Sequence, residues 1–137
     1  MNHYQQEVAG MNEKQRHQAA THGFKTINEL NESETVILGL CAAATLYEFD
    51  VHKMAQIDTL ANVKESVQKA QKMDQTEQYN SGLKAFFAMN YLPTEQRDRA
   101  FTGLFASAAL ADVNFDEITE RALAAPGPSV GPVKSVW

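Results

Sequence analysis

Apolar residues recur along this chain at steps of three and four, and no run alternates steadily between apolar and polar. That periodicity predicts helices throughout and no sheet. Four faces are clear: Val36, Leu40, Ala43 and Tyr47; then Leu60, Val63, Val67 and Ala70; then Tyr79, Leu83, Phe86 and Phe87; then Phe101, Leu104, Phe105 and Ala108. A last helix carries Phe115, Ile118 and Ala122. The expected fold is an all-α, single-domain bundle of about five to six helices with a helix-turn-helix pseudo-repeat and a flexible C-terminal tail.

Capping chemistry sets the boundaries. Thr26-Ile-Asn-Glu29, Asn31-Glu-Ser-Glu34 and Asp74-Gln-Thr-Glu77 each place a capping side chain three residues before a glutamate. The first opens a single turn and the second a helix to about Tyr47. Asp50 caps a long helix running to about Met73, whose stripe on residues 60–70 is narrow enough to pair with one partner, a second copy included. Pro93 disfavours helix at Leu92, so one helix stops there and Thr94 caps the next. Asn114 caps the last.

The two ends differ in composition. Residues 1–25 form a polar arm rich in Gln and His, weakly helical and broken at Gly23. The bundle domain spans 26–125. Residues 126–137 hold three of the four prolines and two of the seven glycines, which predicts an extended, flexible segment.

Residues 37–54 and 101–118 align without a gap. Gly39 meets Gly103, Leu40 meets Leu104, Ala42 meets Ala106, Ala44 meets Ala108 and Leu46 meets Leu110. Glu48 then meets Asp112, and Asp50 meets Asn114. A glycine inside a helix costs roughly 1 kcal/mol against alanine. It is tolerated where another backbone comes close. Gly39 with Ala43 and Gly103 with Ser107 therefore predict two closely packed helices, each other's small-residue faces being the first candidates. Gly82-Leu83-Lys-Ala85 echoes the same start.

Charge and motifs then narrow the function. The chain of 137 residues has a net charge of −5, with no cluster of Lys and Arg. Phosphate binding draws its affinity from cations, so nucleic acid is not an expected partner. The longest apolar stretch, Val36 to Tyr47, is too short to cross a bilayer, and the amino-terminal run has no apolar signal segment. The expectation is a cytoplasmic protein with no membrane attachment. The lone cysteine, Cys41, lies in an apolar run and reads as a small buried hydrophobe.

Candidate chemistry is sparse. Asp112, Asn114 and Asp116 stand at alternate positions like the opening of a calcium loop. That loop needs glycine at its sixth place and a carboxylate at its twelfth. Glu117 and Leu123 stand there instead. Glu48, Asp50 and His52 match no standard zinc or di-iron spacing. Gly-rich phosphate loops and nucleophile motifs are absent from the string. No catalytic, cofactor-binding or metal-binding residue is assigned, and no cofactor is expected.

The segment Val133-Lys-Ser-Val136-Trp137 displays hydrophobic residues on a Pro/Gly spacer, and Trp137 is the sole tryptophan. Exposed tryptophan is a common binding anchor. Val133, Val136 and Trp137 are therefore the expected partner-binding residues of a non-enzymatic protein-protein interaction module, an adaptor, regulator or inhibitor of another protein. Two other readings compete. One is a small helical enzyme or ligand- or metal-binding bundle with an acidic site, Glu48, Asp50, His52, Asp112 and Asp116, between the repeated hairpins. The other is an acidic nucleic-acid mimic.

Overall fold

A computed structural model describes residues 3–48 and 50–112. Among them the chain is all-helical, with six α-helices and no strand: α1 (His3–Ala9), α2 (Glu13–Asn28), α3 (Ser33–Leu46), α4 (Val63–Gln71), α5 (Gln75–Asn90) and α6 (Thr94–Leu110). Two single 3-10 turns, Val51–Lys53 and Ile57–Thr59, carry the chain from α3 to α4. The expected helix at 114 and the segment 126–137 lie outside the described residues.

The helices pair as α3 on α5 and α2 on α6, while α4 leans on α3 and α1 on α6. Glycine explains both main pairings. A Cβ added to Gly23 would stand 2.6 Å from the Cα of Gly103 and 2.8 Å from the carbonyl oxygen of Arg99. One added to Gly39 would fall on the carbonyl oxygen of Ser81 and the methyl of Ala85. The small-residue faces are thus closely packed, but not on each other: α5 fills the Gly39–Ala43 face, and α2 fills the Gly103 face. Gly82, the echo of the repeat, meets Ala43 from the α5 side.

The two aligned segments become the most deeply set helices. Ala100 through Ala108 of α6 are all buried, as are Val36, Ile37 and Gly39 through Ala44 of α3. Both helices also end alike. Glu48 and Asp112, aligned positions, follow the last turns with φ of 59° and 56° in the left-handed region. Their N–H groups donate to the carbonyls of Thr45 and Ala109.

The expectation of a frayed arm ended by Gly23 is overturned. Asn12 and Gln15 form a full capping box, and α2 runs through Gly23 because that glycine faces α6. Thr26 lies inside α2, where its hydroxyl donates to the carbonyl of His22, so it opens no turn. Tyr4 is buried, stacks on Phe101 and Phe105, and donates to Asp98 at 2.8 Å. Burial, then that hydrogen bond, push its phenol up to about 12, so it stays a neutral donor.

Other boundaries also move. Glu32, not Asn31, is the N-cap of α3, without a side-chain bond, and Pro93 rather than Thr94 takes that place before α6. The Asp74–Glu77 box forms as expected. The long helix from Asp50 to Met73 does not form. Asp50 caps only the first 3-10 turn, and Gln56 and Asn62 adopt left-handed φ of 64° and 57°, which interrupt any continuous helix.

Three buried or bridging polar groups hold that irregular stretch. The Asn28 amide donates to the carbonyl of Thr59 at 2.7 Å and accepts from the N–H of Ala61 at 2.9 Å, as a neighbouring strand of backbone would. Ser107, fully buried, donates to the carbonyl of Ala55 at 2.5 Å. Gln78 donates to the carbonyls of Ala70 and Met73 and so closes the end of α4. Leu60, Val63 and Ala70 are buried in the core. Three of the four residues of the stripe on 60–70 are therefore taken up by this chain's own core, while Val67 is half-buried.

Replacing Gly39 or Gly103 by alanine should lower stability by about 1–3 kcal/mol, because overpacking outweighs the gain in helix propensity. Gly10, whose added Cβ would find its nearest neighbour at 3.6 Å, should accept alanine with little change. Urea unfolding of the three variants checks this, and equal midpoints would refute the packing account.

Candidate functional site

Glu48, Asp50 and His52 do share one groove. It occupies about 410 Å3 between the end of α3 and the face of α4, with Thr45, Val67 and Gln71 among its walls. All three candidates are exposed. One Asp50 oxygen already accepts from the His52 backbone N–H at 2.9 Å. Among the described residues, no three His, Cys, Asp or Glu side chains come together in a way that would hold a metal ion. Asp112 is not among the residues lining this groove, and Asp116 lies outside the described residues.

Cys41 borders the same groove and also a small apolar cavity of about 20 Å3, lined by residues such as Ile37, Leu40, Met54, Phe86 and Leu104. That space is about the size of one water and has no set of polar partners to hold it. Burial alone pushes the Cys41 thiol up to about 11. The thiolate that would attack or ligate is therefore suppressed.

Among the described residues, the most exposed large hydrophobic side chain lies elsewhere. Tyr91 is 77% exposed, and its ring runs parallel to that of Phe87, with centroids 6.2 Å apart. The two are one helical turn apart at the end of α5, where Pro93 stops the helix. Their chain neighbours Ala88 and Leu92 line a groove of about 490 Å3 together with Leu30, Val36, Glu29, Asn31, Glu32 and Gln96, a mixed polar and apolar surface that does not include the two rings. Tyr91 follows Ala88 by three residues, so it stands next to the groove's α5 wall.

This face was not visible as a site in the sequence. Phe86 and Phe87 read as one buried face, yet only Phe86 is fully buried and Phe87 is half-buried. The available signal was an aromatic pair spaced by four just before a proline. Val133, Val136 and Trp137 lie outside the described residues. None of the described helices is long and apolar enough to cross a membrane. No family model, curated protein or solved structure matches the chain.

Two outcomes follow. Native protein at pH 8 should react with a thiol reagent far more slowly than unfolded protein, and equal rates would refute the suppressed thiol. Glu48→Gly should raise stability by about 0.5–1 kcal/mol in thermal unfolding, because a left-handed residue with a Cβ is strained and glycine is not.

Proposed function

We propose that this protein is a non-enzymatic protein-protein interaction module, acting in the cytoplasm as an adaptor, regulator or inhibitor of another protein. The observation that carries the reading is the Tyr91–Phe87 pair beside an open, partly apolar groove. Tyrosine contributes large contact area at low entropic cost and recurs at the centre of binding energy in interfaces. Acids on the groove rim favour a partner segment that brings a basic residue with its apolar anchor. The segment holding Val133, Val136 and Trp137 is the second contact element in this proposal.

The test is capture of partners from a lysate of the source cells by three proteins: the native chain, Tyr91→Ala and a chain ended at Ala125. One specific partner should be lost with Tyr91→Ala and weakened by truncation. A partner set identical for all three would overturn the reading.

A further inference from the structure

We infer that α1 is a releasable latch on α6, in which Tyr4 and Arg97 compete for the carboxylate of Asp98: docking gives that carboxylate to Tyr4, and release returns it to Arg97. The latch does not depend on the interaction reading above.

The joint is built to let α1 move alone. Tyr4 and Val8 are the buried residues of α1, and the Tyr4 ring lies nearly parallel to those of Phe101 and Phe105, with centroids 5.3 and 6.2 Å away. Gly10 and Met11 separate α1 from Asn12. The Asn12–Gln15 box satisfies the first turn of α2 from within, at 2.8 Å in both directions. Gly10 meets no other element, since an added Cβ would find only the carbonyl oxygens of Glu7 and Gln6. Departure of α1 therefore leaves α2 capped, and still packed on α6 through Gly23. Arg16 Nε donates to the carbonyl of Val8 at 3.2 Å, a tie across the joint that keeps α1 near its seat.

The contest is over one oxygen. Tyr4 donates to Asp98 Oδ1 at 2.8 Å. Arg97 Nε lies 3.9 Å from the same oxygen, beyond hydrogen-bond reach. That nitrogen is shut off from solvent with no hydrogen-bond partner, the one such side-chain atom among the described residues. A buried donor left unmade costs free energy. The Arg97 guanidinium also pulls the Tyr4 phenol down, against burial and Asp98, so the three groups share one small site. When Tyr4 leaves, its hydroxyl bonds to water and the Asp98 oxygen becomes free for Arg97, its neighbour on α6. That gain opposes the loss of ring contact and makes release cheap. Release takes the Tyr4 ring off Phe101 and Phe105 and leaves the rest of the bundle in place.

Hydrogen exchange followed by NMR on the full chain tests the latch. A helix of seven residues does not persist alone, so release unfolds it and exposes the amides of residues 7–10. These amides should exchange together, and several-fold faster than those at the centres of α2 and α6. Arg97→Met should slow them several-fold, because the competitor is gone. Tyr4→Phe should speed them, and by several-fold more in the Arg97→Met chain than in the native one, where Arg97 recovers Asp98 in compensation. Exchange at the centres of α2 and α6 should stay unchanged in every variant. If α1 exchanges only as fast as α2 and α6, there is no separate release and the inference fails. It fails equally if Arg97→Met leaves α1 exchange unchanged or faster, or if Tyr4→Phe acts alike in both chains, which would make Tyr4 a plain packing residue.

Discussion

Backbone contact between Gly23 and Gly103 is the constraint on which the rest of this bundle depends. It lets α2 and α6 approach until a Cβ on either glycine would fall 2.6 Å from the other's Cα. The Gly39 face does the same for α3 against α5. Such approach multiplies weak dispersion contacts that a larger residue would hold apart. It also leaves α3 and α6 enclosed on nearly every side. Among the described residues, none of the buried polar side chains carries a charge. The described interior is therefore apolar, and the cavity beside Cys41 has room for about one water.

Glycine used for packing is glycine missing from turns. None of the described glycines has a positive φ, and the four left-handed positions are filled by Glu48, Gln56, Asn62 and Asp112. Each is strained relative to glycine. Polar side chains from the well-packed helices offset that strain. Asn28 on α2 holds Thr59 and Ala61, Ser107 on α6 holds Ala55, and Gln78 on α5 holds the end of α4. The stretch from Asp50 to Asn62 is thus shaped by tertiary contacts and not by its own helical propensity.

That division explains what could be read from residues alone. Helix class, the Asp74 box, the stop at Pro93 and the close packing at Gly39 and Gly103 are local or compositional, and the structure agrees with them. The pairing of those glycines is not local. Nothing in the string says that Gly23, set in a polar run, faces Gly103, so it reads as a breaker. Likewise the spacing of Leu60, Val63, Val67 and Ala70 is helical, but Asn62 turns left-handed before the helix begins. The acidic groove was legible as Glu48, Asp50 and His52, because three residues that close in sequence share a surface. The Tyr91 face was not, because exposure of one ring depends on where α2 and α3 end.

Pro93 ties the fold to that face. By ending α5 at Asn90 it leaves Tyr91 past the last turn, where no described helix covers it. The same boundary turns the chain into α6, whose start lies beside the end of α2. Leu30 and Val36 then sit opposite Ala88 and Leu92 with a gap between them that no described side chain fills. Glu29, Asn31, Glu32 and Gln96 share the lining of that gap, so apolar and polar groups meet there on one surface, and release of water from its apolar part favours a segment that also satisfies the polar part.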